Sequence, residues 1–263
     1  MTLPPYDLDV DLASRVQELL FPKGSPVCDW CCIGVKYHMA CGLGGDYFDF
    51  IALPDGCQFV MIGDVTGHGL HASVVMSLLY GFVYRASLNR CDPLKVARDV
   101  NAFLENFAVR SQDLDHFFST TLFCCVIDPA TLAMRYVNAG QPLPLVRRQE
   151  QVFELKPTSP PLGFFREPEI LMKTFQLHIG DRLLVYTDGI VESVGGRGEL
   201  FGIERLKKVL LGSNESHVAF LDRLFTEIER FGRQGAQKDD CTAIAIDFHR
   251  TWKKAGEGAG ESG

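Results

Sequence analysis

Cys57-Gln58-Phe59-Val60-Met61-Ile62-Gly63-Asp64-Val65-Thr66-Gly67-His68-Gly69 is the segment that decides the fold of this chain of 263 residues. Its apolar first half is too short for a helix and predicts a buried strand. From about His71 to Ser87, apolar residues recur at helical spacing, which predicts a helix with one apolar face. Asp64 therefore stands between a buried strand and a glycine-rich turn. By itself, such a carboxylate either caps the helix or holds a cation or a reacting group.

The same arrangement recurs at three other places along the chain. Asp46 follows Gly44-Gly45, Asp188 follows the apolar segment 183–187, and the pair Asp239-Asp240 precedes the apolar segment 241–246. Each of these acids borders a predicted strand. Because hard cations take oxygen ligands, carboxylates gathered at strand ends predict a binuclear Mg²⁺ or Mn²⁺ site.

Seven motifs cover nearly the whole chain. They are Gly-Gly-Asp-Tyr-Phe-Asp at 44–49, Gly-Asp-Val-Thr-Gly-His-Gly at 63–69, Phe-Ser-Thr-Thr-Leu at 118–122, Asn-Ala-Gly-Gln-Pro at 138–142, Tyr-Thr-Asp-Gly-Ile-Val-Glu at 186–192, Phe-Gly at 201–202 and Asp-Asp-Cys-Thr at 239–242. In this order the motifs resemble those of the metal-dependent PPM-type (type 2C-like) serine/threonine protein phosphatases. The resemblance is strongest to the bacterial branch that includes SpoIIE and RsbU. One motif alone would be weak, whereas the ordered set is specific.

The resemblance implies an α+β fold, a four-layer α/β/β/α sandwich with a binuclear metal site at one edge of the β-sandwich. The residues by themselves predict only two sheets covered by helices. We divide the chain into an N-terminal helical segment (1–25), a PPM-type phosphatase domain (26–249) and a disordered tail (250–263), whose end is rich in glycine.

The first segment contains a predicted helix over 8–21. Its apolar residues Leu12, Val16, Leu19 and Leu20 form one stripe. In the proteins that the chain resembles, a helix at this place connects the catalytic core to a sensor domain and can switch activity. The helix here is therefore either a regulatory element, with a homodimer through it as one option, or an element that simply packs on the core.

The resemblance implies a site for two Mn²⁺ or Mg²⁺ ions formed by Asp46, Asp64, Val65, Asp188, Asp239 and Asp240. Asp64 would bridge both ions and is the predicted catalytic residue, while the Val65 carbonyl would bind one ion. Asp188 and Asp239 would hold the other ion, and Asp46 would complete the site directly or through water. Asp240 stands where eukaryotic relatives often carry Asn. Its alternative role is therefore to support the ligand residues without binding an ion itself.

Three other residues in the motifs receive no catalytic role. His68 lies two residues beyond the position of the proton-donating histidine of eukaryotic relatives, so that role is not transferred. Gln141 stands where relatives often have His, and Asp49 is predicted to be structural. We find no counterpart of the arginine that binds phosphate in eukaryotic members.

The predicted function is a protein phosphatase that acts on phosphoserine or phosphothreonine, with a water held between two ions attacking phosphorus directly. The implied substrate is a small bacterial signalling protein of the anti-sigma-factor antagonist type. Two alternatives stay open: a phosphohydrolase of a small ester or nucleotide, and an inactive binding module of the same fold. A net charge of −7 argues against a nucleic-acid partner.

The apolar runs and the cysteines of the sequence predict the cellular compartment of the protein. No apolar run approaches the ~20 residues of a membrane helix, and the start of the chain shows no signal peptide, so we expect a cytoplasmic protein without a membrane partner. Its nine cysteines, mostly in apolar runs, are typical of free thiols in a reducing compartment. Cys28 and Cys31 form a CxxC motif. Because no second CxxC is present, two buried thiols are favoured over a redox pair or half of a metal clip.

Overall fold

The structure is a computed structural model that describes residues 5–24, 28–40, 42–67, 69–88, 92–110, 118–232 and 239–250. Within these ranges, no helix is both long and apolar enough to span a membrane. The predicted disordered tail lies outside the described residues apart from position 250.

The described residues form ten strands in two antiparallel sheets. The strands are β1 (Cys31–His38), β2 (Asp46–Ala52), β3 (Gln58–Val65), β4 (Thr120–Ile127), β5 (Ala133–Ala139), β6 (Leu145–Arg148), β7 (Gln151–Glu154), β8 (Lys173–Gln176), β9 (Arg182–Tyr186) and β10 (Cys241–Phe248). Sheet A has the order β1-β10-β9-β6-β7, and sheet B has the order β2-β3-β4-β5-β8. Sheet A therefore pairs β1 with β10 across most of the chain, whereas sheet B pairs four consecutive strands and adds β8.

Six helices lie in the described part of the chain. They are α1 (Pro5–Glu18), α2 (Leu70–Ser87), α3 (Pro93–Arg110), α4 (Asp188–Glu192), α5 (Gly202–Leu211) and α6 (His217–Phe231). Helices α2 and α3 pack on sheet B, α5 and α6 pack on sheet A, and α1 contacts α2. One hydrophobic core fills the space between the sheets and below α2 and α3, and a second joins sheet A to α5 and α6. The four-layer α/β/β/α sandwich that the resemblance implied is confirmed.

Strand β3 is buried on both faces, which explains its unbroken apolar sequence. Successive side chains of a strand point to opposite faces. On β2, Phe48 stacks on Phe21 and lies beside Tyr37 of sheet A, so its face looks toward the other sheet. Asp46 shares this face, whereas Asp49 points the other way and accepts a hydrogen bond of 2.8 Å from Tyr80 of α2. This alternation separates the candidate ligand from the acid predicted to be structural.

Two predicted features differ from the structure. The strand predicted over 57–62 continues past Ile62 to Val65, because the pairing with β2 and β4 continues there, and Asp64 lies near the end of this strand as predicted. Helix α1 ends at Glu18, and two residues of its predicted packing stripe, Leu12 and Val16, are 62% and 55% exposed. The helix is instead held by polar contacts, which are described with the site.

The chain beyond β9 begins as the short helix α4, which starts at Asp188 itself. It then continues into a hydrogen-bonded turn, in which the amide of Gly195 donates to the carbonyl of Glu199 at 2.7 Å and Val194 pairs with Leu200.

Candidate metal centre

The centre of the candidate site is a pair of acids on neighbouring strands of sheet B. Asp46, the first residue of β2, is directly opposite Asp64, near the end of β3. Because facing residues on an antiparallel pair point to the same side, both carboxylates project toward sheet A. Asp46 is fully buried and Asp64 is half-buried. The sequence predicted both acids as ligands without placing them opposite each other.

Asp46 also joins the two sheets. Its Oδ2 accepts hydrogen bonds from the hydroxyl of Thr187 at 2.9 Å and from the hydroxyl of Thr242 at 2.6 Å. These threonines belong to sheet A and are bonded to each other, since the amide of Thr242 donates to Thr187 Oγ1 at 3.0 Å. Sequence analysis missed both threonines, although each stands one or two positions from a predicted acidic ligand.

Asp188 and Asp239 reach the same place because of these threonines. Asp188 follows Thr187 at the end of β9 and begins α4, and Asp239 lies three residues before Thr242 at the start of β10. Asp188 is half-buried and Asp239 is exposed, so both are open to solvent. The two sheets thus bring together four acids. The first and the last of them along the chain, Asp46 and Asp239, are 193 positions apart.

Asp240 is occupied by backbone contacts. Its Oδ1 accepts a hydrogen bond from the amide of Ala40, and its Oδ2 accepts one from the amide of Gly45, both at 2.9 Å. The side chain is buried behind the other acids. This arrangement fits the alternative role from sequence analysis, in which Asp240 supports the ligands and does not bind an ion itself.

Gly45 leaves open the space that a metal ion needs. A Cβ at this position would lie 2.7 Å from the carbonyl oxygen of Val65 and 2.8 Å from Asp64 Oδ1. These two oxygens, both predicted ligands, therefore face the same small space above the glycine backbone. Both are hard donors of the kind that Mg²⁺ and Mn²⁺ prefer.

The electrostatics of the cluster favour a cation. Burial raises the pKa of Asp64, and the neighbouring carboxylates Asp46, Asp188, Asp239 and Asp240 raise it further, to about 9. Burial likewise raises the pKa of Asp46 well above its usual value, although the Thr242 hydroxyl opposes this shift. Negative charge that is crowded in this way is stabilised when a divalent cation binds.

The donor set fits ions that keep part of their water shell. Among the described residues, no three His, Cys, Asp or Glu side chains are grouped so that they could hold a metal ion by themselves. Mg²⁺ usually retains several waters and binds through only one or two carboxylates, so an open ring of acids suits it better than a closed cage. The exposed position of Asp239 and the half-buried positions of Asp64 and Asp188 match this open arrangement.

Gln17 of α1 supports the site from 27 positions before Gly44, and sequence analysis missed it. Its Nε2 donates to the carbonyl of Gly44 at 2.7 Å, and its Oε1 accepts from the amide of Gly44 at 3.1 Å. Gln17 is only 4% exposed, and Ser14 on the same helix donates to the carbonyl of Gly42 at 2.6 Å. Helix α1 therefore holds the backbone that leads directly into Gly45 and Asp46.

Two further residues of the motifs, His68 and Gln141, were considered in the sequence analysis. His68 lies outside the described residues. Gln141 is buried, and within the described chain neither its Nε2 nor its Oε1 has a hydrogen-bond partner. The sequence singled out Gln141 as a departure, and the structure adds no catalytic contact for it.

Comparisons with known proteins identify the family of the chain and its fold. The family model of stage II sporulation protein E (SpoIIE) matches residues 54–249, a range that contains four of the five acids. The phosphoserine phosphatase RsbP of Bacillus subtilis (strain 168) is 26% identical over 241 residues, which cover 91% of this chain and 57% of RsbP. The chain spans about half the length of the curated relatives that it matches.

Solved structures share the fold. The SiaA-PP2C domain of Pseudomonas aeruginosa superposes with a TM-score of 0.79 at 18% identity, over 92% of this chain and 97% of that domain. RsbX, solved in complex with magnesium, superposes with a TM-score of 0.62 at 15% identity, over 86% of this chain and 98% of its own. At these identities the likeness is one of fold.

Proposed function

The chain belongs to the stage II sporulation protein E (SpoIIE) family, and from that premise we propose that it is a metal-dependent protein phosphatase acting on phosphoserine or phosphothreonine. The observation that carries the proposal is the convergence of Asp46, Asp64, Asp188 and Asp239 at one edge of the two sheets. That RsbP is named a phosphoserine phosphatase, and that RsbX was solved with magnesium, support the choice of substrate and of ion.

Each acid has a role in this proposal. Bound Mn²⁺ or Mg²⁺ ions supply Lewis-acid activation of water and stabilise the negative charge of the phosphoryl group. Asp64 and the Val65 carbonyl bind on the sheet B side, and Asp188 and Asp239 bind on the sheet A side. Asp46 completes the site while the two threonines hold its other oxygen. Asp240 is a positioning residue, because both of its oxygens hold backbone amides.

The proposed substrate is a small phosphorylated signalling protein of the anti-sigma-factor antagonist type, and the proposed location of the reaction is the cytoplasm. The open rim of the acid cluster supports a protein substrate, because Asp239 is exposed and Asp188 is only half-buried. A phosphoserine side chain on a protein surface could reach such a rim directly.

The function is tested with two substrates and Mn²⁺. We expect the chain to hydrolyse p-nitrophenyl phosphate and a phosphoserine peptide when Mn²⁺ is added, and to lose both activities in excess chelator. Preference for a nucleotide over the peptide would favour the small-ester alternative. Mn²⁺ binding without hydrolysis of p-nitrophenyl phosphate, of the peptide or of a nucleotide would contradict catalysis and favour a binding module.

Helix α1 is proposed to regulate the site. It holds Gly44 through the buried side chain of Gln17, while Leu12 and Val16 of the helix and Leu19 just after it remain exposed. An apolar face exposed in this way suits contact with a second copy of the chain or with a regulator. Movement of α1 would therefore act on the backbone that carries Asp46.

Gln17→Ala tests this role of α1. The change leaves the buried amide and carbonyl of Gly44 without partners, which costs about 1–3 kcal/mol. Since contacts behind metal ligands typically change metal affinity by about 10-fold or more, we expect hydrolysis of p-nitrophenyl phosphate to need about 10-fold more Mn²⁺, with the rate at saturating Mn²⁺ largely kept.

Glu18→Ala is the matched control, because Glu18 is the exposed neighbour of Gln17 on the same helix. Its Mn²⁺ requirement should equal that of the natural chain. An unchanged Mn²⁺ requirement in Gln17→Ala would show that α1 does not support the site.

A further inference from the structure

The backbone pair Gly45 and Val65 departs from the normal ladder between β2 and β3. It is the next pair beyond Asp46 and Asp64 in the register of the two strands. A hydrogen-bonded pair of an antiparallel ladder exchanges two N–H···O bonds. Here the amide of Val65 donates to the carbonyl of Gly45 at 3.2 Å. The return bond is not made, because the amide of Gly45 donates to Oδ2 of Asp240 at 2.9 Å instead.

The carbonyl of Val65 is turned out of the ladder toward the acids. Its oxygen would lie only 2.7 Å from a Cβ at Gly45, and Oδ1 of Asp64 would lie 2.8 Å from the same atom. The oxygen is therefore on the side of the sheet to which the Asp64 carboxylate points. Val65 is fully buried, and a buried carbonyl that lacks its ladder partner is unfavourable. A hard cation in this space would supply the missing partner.

Two glycines fix the place of Asp240. A Cβ at Gly44 would overlap Oδ2 of the acid, and a Cβ at Gly189 would overlap its backbone carbonyl. On the other side, the amide of Ala40 donates to Oδ1 at 2.9 Å. The carboxylate is therefore held against the glycine backbone whose amide it binds. The motifs that supply the acids thus also supply the glycines that let Asp240 approach.

The carboxylate of Asp240 and the carbonyl of Val65 are alternative acceptors for one amide. A hydrogen bond to an ionised acceptor is about twice as strong as one between neutral groups. The amide of Gly45 therefore favours Asp240 where the acid is held within reach. If the acid were removed, the nearest acceptor in the ladder would be the Val65 carbonyl.

We propose that Asp240 creates the backbone ligand of the metal site by withdrawing the Gly45 amide from the Val65 carbonyl. Asp240 acts here as a positioning residue, because it works through the amide and leaves the ion to the oxygen that it releases. The inference rests on the proposed function, since the released carbonyl belongs to the same site. Without Asp240, the ladder closes and the ligand is lost, although Val65 itself is unchanged.

Asp240→Ala tests the release by hydrogen exchange of single amides in the metal-free chain, followed by NMR. The two amides that bind Asp240 give opposite results. The amide of Ala40 should exchange about 10- to 100-fold faster, because it loses a bond to a charged acceptor. The amide of Gly45 should keep its protection, because the Val65 carbonyl replaces the carboxylate. A merely structural role of Asp240 would expose both amides.

Calorimetric titration with Mn²⁺ measures the consequence for the site. The affinity of Asp240→Ala should fall by about 10- to 100-fold. Asp49→Ala is the matched control, because Asp49 is also buried and accepts a backbone amide, that of Phe50, at 2.7 Å, but faces α2. Its affinity for Mn²⁺ should equal that of the natural chain.

Gly44→Ala is a second variant, which displaces the Asp240 carboxylate without removing it. It should give the same exchange pattern and the same loss of Mn²⁺ affinity. The proposal is overturned if the amides of Ala40 and Gly45 lose protection together, or if Asp240→Ala binds Mn²⁺ as tightly as the natural chain. If the natural chain bound no Mn²⁺, the proposed function would fail, and the exchange pattern would still decide whether Asp240 withdraws the Gly45 amide.

Discussion

Asp64→Asn is expected to lower Mn²⁺-dependent kcat/KM for p-nitrophenyl phosphate by about 10³-fold. The change keeps the shape of the side chain and removes its charge at the point where β2 and β3 bring two acids face to face. Charge stabilisation by a metal ion contributes several kcal/mol to the transition state, and about 1.4 kcal/mol corresponds to a factor of ten in rate. Loss of the ligand predicted to bridge both ions should remove most of that contribution.

Asp49→Asn is the control for this variant. Asp49 lies on the same strand pair, but its carboxylate points to α2, where it accepts a hydrogen bond from Tyr80. We expect a loss of stability of about 1 kcal/mol from the weakened hydrogen bond and an unchanged kcat/KM. Equal loss of activity in both variants, or full activity in Asp64→Asn, would contradict the assigned roles.

Gly45→Ala should also reduce the activity strongly, although it removes no charge. The new methyl group would lie 2.7 Å from the Val65 carbonyl and 2.8 Å from Asp64 Oδ1, so both oxygens must move. The backbone cannot easily yield, because the Gly45 amide donates to Asp240 and its carbonyl accepts from the Val65 amide. Since a displacement of about 1 Å can cost about 10²-fold in rate, we expect a loss of that size in kcat/KM, together with weaker Mn²⁺ binding.

Gly81→Ala is the matched glycine control. Gly81 lies within α2, and a Cβ there would meet no atom within 4 Å. Alanine in place of glycine inside a helix should stabilise the chain by about 0.5–1 kcal/mol without changing hydrolysis. If Gly45→Ala behaved like Gly81→Ala, the space above Gly45 would not be part of the site.

Much of the fold follows from local patterns. The apolar run before Asp64 and the helical spacing after it predicted their elements to within a few residues. The family resemblance, confirmed by the matched family model and by the shared fold, then supplied the layer order. Strand order in the sheets could not be predicted from periodicity, because β1 pairs with β10 across most of the chain.

The contacts that hold the site were harder to predict. Thr187 and Thr242 bind Asp46 across 141 and 196 positions, and nothing in the local sequence marks them as its partners. Gln17 could not be predicted because helical periodicity marks the apolar residues of α1 as the buried ones, yet Leu12 and Val16 are exposed and the buried residue is polar. A polar residue with a structural role of this kind is visible only when the backbone that it binds is known.

Calorimetric titration of the natural chain and of Asp64→Asn with Mn²⁺ tests most directly whether acids distant in sequence form one site for two divalent ions. We expect two ions to bind per chain, with heat that is largely lost in Asp64→Asn and retained in Asp49→Asn. Absence of Mn²⁺ binding to the natural chain, or the same binding isotherm for Asp64→Asn, would contradict it.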